Sequence, residues 1–391
     1  MDRADVAMSD ESKLFASKPH AVRGAGVSIC RGMTSRERLR RCYFNEELDR
    51  PGVYSRAGFP SDDPSYDRLK AYLQTCADLK RGWNGRAFES TAPTEQFTER
   101  HSAEFDRQVT VLHAPAGELR STRLVSRQGQ PGLHETFFIK TREDAETYLS
   151  LPLPRVDGDV SSFDVADREI GERGIVDVQL GLNPAGFVAE LCGSEAFAAM
   201  TMTDRDVIHA LCERQMNVVR RSVRFLLERK VGPYFSVMGQ EYVVPPLHGP
   251  RDFQDFNVRY DKPIIDLIHE WGGRVHIHCH GPICQVFRGF LDMGTDVLHP
   301  FEPPPMGNLT AKEAKAIACG RLCLEGNIQI HRMYEATAEE VCAETVALIT
   351  DAFDDRRGLI VCPTASPYIR GAGEACFPQY QAMIDTVLHW R

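Results

Sequence analysis

The chain has 391 residues, 42 % of them hydrophobic, and a formal net charge of −9 at pH 7. That length and apolar content suffice for one large core or for two domains. The negative balance argues against a general binder of nucleic acid or anionic membranes, and no run of roughly 18 apolar residues predicts a membrane span.

Residues 1–32 are polar and irregular and read as a loosely ordered arm. The opening Met1-Asp2-Arg3-Ala4-Asp5 lacks a charged-then-apolar leader pattern, which predicts a cytoplasmic protein. The 12 cysteines are scattered without a C-x-x-C pair, so most are expected to be buried small hydrophobes, the Cys319/Cys323 pair included.

Thr34 or Ser35 caps a first helix. Val53-Tyr54-Ser55 is a short strand candidate. Asp63-Pro64 starts a predicted helix through about Trp83, with Leu69, Tyr72, Leu73, Cys76 and Leu79 on one side. Residues 104–140 change character. Alternation over Asp106–Leu112 and Leu119–Ser126 around Pro115-Ala116-Gly117-Glu118 predicts a hairpin, with a third strand at Thr136–Ile139. Thr141-Arg142-Glu143-Asp144 caps a short helix.

From about residue 174 the rhythm is strand, loop, helix. Strands are predicted at 174–180, 234–238, 273–279, 295–299, 322–326 and 358–362. Helices are predicted at 184–192, 203–230, 250–272, 282–292, 310–319, 337–353 and 376–389. This alternation implies a parallel sheet. With one or two earlier strands the count reaches about eight, so residues 33–391 are expected to form an α/β (β/α)8 TIM barrel. The hairpin at about 104–140 is its insertion. In that fold the chemistry sits at strand C-termini.

The most informative segment is His276-Ile277-His278-Cys279-His280-Gly281, behind the Gly272-Gly273 turn. In an extended strand alternate side chains share a face, so the three imidazoles point one way and Cys279 the other. Glu302 and Cys362 follow, each near another predicted strand end. His278, His280, Glu302 and Cys362 make a plausible zinc set, with His276 deeper as a structural or supporting group. Glu241, just past a strand end, is a candidate acid/base, and Asp177 a candidate interior carboxylate. Tyr54, Arg56 and Tyr234 are candidate walls of the substrate pocket. The basic face of helix 203–230 reads as a solvated surface.

Several stretches carry a family resemblance. Met33-Thr34-Ser35-Arg36-Glu37-Arg38-Leu39 with Asn45-Glu46-Glu47-Leu48-Asp49-Arg50-Pro51 is similar to the opening helix and turn of the uroporphyrinogen decarboxylase superfamily. Ile264–His280 resembles its helix, Gly-Gly turn and His-bearing strand, and Gly320–Ile328 with Ala336–Val341 its next strand and helix. The resemblance spans about residues 33 to 390.

The superfamily includes metal-free tetrapyrrole decarboxylases and zinc-dependent methyltransferases such as the methylcobamide:coenzyme M enzymes. The zinc enzymes use His-x-Cys, a later Glu and a Cys on the last strand. His278-Cys279-His280, Glu302 and Cys362 stand at similar intervals, with His280 replacing a thiolate; one alignment puts Ala365 at the last cysteine's place. The decarboxylases' paired-arginine pattern R-Q-A-G-R meets only Ser55-Arg56-Ala57-Gly58-Phe59 here. The resemblance therefore implies a zinc-dependent methyltransferase, with about one zinc ion per chain. The methyl group would move between a small substrate and a thiol or corrinoid acceptor. A corrinoid on a separate partner protein is implied by resemblance only, and a homodimer through the hairpin insertion is left open. The rival readings are a metal-independent decarboxylase of a small carboxylic acid and a zinc hydrolase or lyase on the same barrel.

Overall fold

The computed structural model describes residues 32–128 and 131–390; the arm read over 1–32 lies, but for Gly32, outside the described residues. Thr34 accepts from the backbone N–H of Glu37 and starts helix α1 (Ser35–Tyr43). Strand β1 (Gly52–Val53), helix α2 (Asp67–Cys76) and strand β2 (Leu79–Asn84) follow. The long helix predicted from Asp63 to Trp83 thus ends at Cys76, and its last part is a barrel strand.

An antiparallel sheet comes next: β3 (Thr94–Arg100), β4 (Phe105–Ala114), β5 (Gly117–Ser126) and β6 (Leu133–Thr136), in that order. The insertion is therefore a four-stranded sheet rather than a hairpin plus one strand, and its last strand lies earlier than predicted. Leu112 and Leu119 pack with Leu151 into a small core of their own. The capping box of Thr141 and Asp144 opens α3 (Arg142–Leu149), and α4 (Ser161–Ile170) leads back to the barrel.

The rest alternates as predicted: β7 (Gly174–Leu182), α5 (Pro184–Cys192), α6 (Ser194–Thr203), α7 (Arg205–Glu228), β8 (Tyr234–Met238), α8 (Pro250–Asp252) and α9 (Arg259–Glu270). Then come β9 (Arg274–His278), α10 (Phe287–Met293), β10 (Val297–His299), α11 (Ala311–Ala318), β11 (Cys323–Ile328), α12 (Arg332–Glu335), α13 (Ala338–Ala352), β12 (Leu359–Pro363) and α14 (Gly373–Leu388). The helix read over 203–230 is the unbroken α7, which starts at Arg205 after Asp204, and that over 250–272 passes through a π-helical turn at Phe253–Val258.

Eight parallel strands pair in the order β1-β12-β11-β10-β9-β8-β7-β2. This is a (β/α)8 barrel with an insertion. The ring closes between its two end strands through one residue. The Asp78 N–H donates to the Val53 carbonyl at 2.9 Å, and the Asp78 carboxylate accepts from the Val53 N–H at 3.0 Å. Arg38 and Arg50 hold that carboxylate at 2.9 and 3.0 Å, and Asp78 is fully buried. Outward-facing strand residues such as Val178, Val275, Ile277 and Leu298 are fully buried beneath the helices. Inward positions carry polar groups instead: Asp177, His276, His299 and Glu325 are all buried. Among the described residues no helix is long and apolar enough to cross a membrane.

Candidate active site

The barrel mouth holds a cavity of about 500 Å³ whose walls include Tyr54, Arg56, Lys80, Asp177, His276 and His278. Strand pairing dictates who meets whom. Residues in register on adjacent strands with inward side chains become neighbours. β9 pairs with β10 so that His278 stands beside His299. β8 pairs with β9 so that Ser236 stands beside His276.

Two layers result. At the rim, His280 Nδ1 lies 3.1 Å from Glu302 Oε2. Just past His280 the chain turns at Gly281, φ +100°, where a side chain would be strained, and the Gly281 N–H donates to the same carboxylate at 3.3 Å. The His278 ring lies edge-on to His280, 4.7 Å between centroids. Glu241 is tied back by the Gly239 N–H at 3.0 Å; burial raises its pKa, partly offset by the charge of His280.

Beneath the rim, Arg56 reaches to 3.2 Å from His278 Nδ1 and 3.0 Å from His299 Nδ1. Burial and then this guanidinium drive the pKa of His278 down to about 2, and that of His299 well below the ordinary imidazole range. Both rings are neutral at any physiological pH. Deeper still, Lys80 lies 3.3 Å from both carboxylate oxygens of Glu325, His276 Nε2 lies 3.1 Å from one of them, and Cys362 Sγ 3.8 Å from the other. Burial pushes the Cys362 thiol well up and, with Lys80, pushes His276 down. The Asp177 carboxylate accepts from Ser236 at 2.8 Å; its other oxygen has no partner among the described residues.

The four residues read as a zinc set do not form one cluster here. His280 and Glu302 are paired, and His278 adjoins them, but Cys362 faces Glu325 on the floor. The one set of three His, Cys, Asp or Glu ligand atoms mutually within 4.8 Å, among the described residues, is His299, Glu325 and Cys362, all buried. Tetrahedral zinc ligands sit about 3.3–3.8 Å apart, so this spacing fits with a small adjustment. The charge does not, because Lys80 already neutralises Glu325. The rim pair, by contrast, has no protein cation bridging it among the described residues, and its 3.1 Å separation suits two donors on one ion.

Tyr54, Arg56 and Asp177 line the cavity, and Glu241 lies outside that lining, near enough to His280 to feel its field. Tyr234 does not line the cavity. It is the first residue of β8, at the opposite end of the barrel, where its ring meets Tyr43 edge-on at 5.0 Å. Sequence reasoning missed Lys80, His299 and Glu325 as site residues. The signals were present: His299 lies three residues before Glu302, and Glu325 interrupts an apolar strand.

Residues 183–366 match the family described as uroporphyrinogen decarboxylase (URO-D), as the sequence resemblance anticipated. No curated protein sequence matches the chain. Among solved structures, a methyltransferase from Methanosarcina mazei superposes with a TM-score of 0.59 at 11 % identity, covering 90 % of this chain and 98 % of the other. A B12-independent methionine synthase from Shewanella, solved with selenomethionine, gives a TM-score of 0.42 at 12 % identity over 61 % of this chain and 70 % of the other. At such identities the likeness concerns the fold.

Proposed function

We propose that this chain, which carries a uroporphyrinogen decarboxylase domain across residues 183–366, is a zinc-dependent methyltransferase. It moves a methyl group between a small substrate and a thiol or corrinoid acceptor. The observation that carries the reading is the His280–Glu302 pair, 3.1 Å apart at the ends of adjacent strands and beside a cavity large enough for a small substrate. His278 is the third donor in this reading. Cys362 stays with Glu325 on the floor.

His280, Glu302 and His278 would hold the zinc, which when bound would supply Lewis-acid activation of a thiol or water at neutral pH. The chain's own residues do the rest. Glu241, its pKa raised by burial, accepts or donates a proton at the rim through a carboxylate oxygen. Arg56 holds an anionic group of the substrate, since among the described residues its guanidinium contacts only imidazoles. Tyr54 walls the cavity, and Asp177 offers its unpartnered oxygen to a donor on the substrate. The superfamily resemblance supports a corrinoid protein as the source or sink of the methyl group.

The test is metal analysis of protein purified without chelator, combined with tracing of a ¹³C-methyl label. About one zinc per chain is expected, lost in His280→Ala and Glu302→Ala, with label moved only by the loaded enzyme. Full activity in metal-free protein would reject the reading. The unpaired Arg56 also favours a second one: metal-independent decarboxylation of a small carboxylic acid seated on that guanidinium. It predicts carbon dioxide release that survives strong chelation.

A further inference from the structure

Two imidazoles meet nitrogen to nitrogen at the barrel mouth. Nδ1 of His278 and Nδ1 of His299 are 2.8 Å apart, with the rings stacked at 17° and 5.0 Å between centroids. Two lone pairs would repel at that distance, so one nitrogen carries a hydrogen. Which one follows from the neighbours. His299 Nε2 lies 3.2 Å from the Pro363 carbonyl oxygen, which can only accept; the hydrogen of His299 is therefore on Nε2. Arg56 Nη1, which can only donate, stands 3.0 Å from His299 Nδ1 and, less closely, 3.2 Å from His278 Nδ1. A second hydrogen on His299 Nδ1 would make His299 an imidazolium and set it in contact with the Arg56 guanidinium, two cations in a buried site. His299 Nδ1 is thus a lone pair, and the hydrogen between the rings belongs to His278 Nδ1.

From this we propose that His299 is a positioning residue: it locks His278 in the Nδ1–H tautomer, so that the nitrogen His278 offers to the cavity is an unprotonated Nε2. His299 is fully buried and does not line the cavity, so it acts through its neighbour. A histidine donating its inner N–H to a fixed acceptor is the arrangement that orients an imidazole as a ligand or base. The inference rests on the reading that His278 faces substrate or metal, but its primary readout needs neither.

That readout is long-range ¹H–¹⁵N correlation on the full-length protein labelled with ¹⁵N-histidine, with the His278 signals identified by their loss in His278→Gln. The expected pattern is a protonated Nδ1 and bare Nε2 for His278, and a protonated Nε2 for His299. In His299→Leu the His278 hydrogen should leave Nδ1, and zinc affinity, titrated with the metal alone against a chelator, should fall roughly 10–100-fold. His299→Gln, whose amide oxygen can accept, should restore the Nδ1–H form. A wild-type His278 carrying its hydrogen on Nε2 overturns the inference, as does an unchanged tautomer in His299→Leu. The expected tautomers in a protein that takes up no zinc would instead leave the inference standing and reject the zinc reading.

Discussion

Lys80 on β2 reaches across the barrel floor to place its ammonium 3.3 Å from both carboxylate oxygens of Glu325 on β11. Although burial alone would push the Glu325 carboxyl up, the charge of Lys80 and then His276 carries it well below the usual carboxylate range. Removing one member of such a pair strands a charge in a dry interior. Lys80→Met should therefore lower stability by about 3–5 kcal/mol in urea denaturation, and Lys80→Met/Glu325→Gln should recover most of it. The single variant should also gain metal affinity at His299, Glu325 and Cys362, because the resident cation is gone. If the single variant is as stable as wild type, the pair is not what neutralises the floor.

Asp78 joins β1 to β2 and is itself held by Arg38 and Arg50. Asp78→Ala removes the acceptor of the Val53 N–H and leaves buried Arg38 with one partner fewer, a loss of about 3–5 kcal/mol. Native-state hydrogen exchange should show β1 and β2 opening before the six strands between them. Uniform exchange across all eight would show that closure does not depend on this residue.

Asp261 supplies a pH dependence. It is buried in α9, accepting from Asn183 at 3.1 Å and Gln240 at 2.8 Å, and burial raises its pKa to about 7 from an ordinary 3.8. A raised folded-state pKa means the native state holds the proton more tightly. The associated stability is fully present below the unfolded pKa and is lost as pH rises through the folded one. Melting temperature should fall between about pH 4 and pH 7 by the equivalent of about 4 kcal/mol, and Asp261→Asn should flatten that slope. An identical slope in the variant would assign the dependence to other groups.

Arg56 is predicted to set affinity rather than turnover. Arg56→Met should raise KM for an anionic substrate roughly 10–100-fold, the worth of about 1.5–3 kcal/mol for a charged hydrogen bond. Arg56→Lys should recover only part, since an ammonium cannot reproduce the planar fork. A loss confined to kcat would place Arg56 in the chemical step instead.

The strand-helix rhythm after residue 174 was legible because the outward strand faces are apolar and some of the helices have a clear start signal; Asn183 caps one, and Thr310/Glu313 and Thr337/Glu340 are formed capping boxes. β2 was not legible. Leu69, Leu73 and Cys76 keep a helical phase that Leu79 happens to continue, while Lys80, Arg81 and Gly82 are poor strand formers. Only the tertiary ring makes that segment a strand, so Lys80 went unseen. Glu325 needed a partner 245 residues away to make sense of a charge inside an apolar strand. His299 needed the register that sets it beside His278. Tyr234 was on the right strand at the wrong end, which its place at the strand's start could have told.

A cylinder of strands normally has no border at which another chain could add itself. Here the border between the first and last members is covered by one carboxylate and one amide rather than by a ladder of bonds. Protection against intermolecular strand addition, and with it solubility at high concentration, therefore depends on a side chain about 200 residues from the rim histidines in sequence. A lesion that spared every catalytic group could still remove this protein from solution.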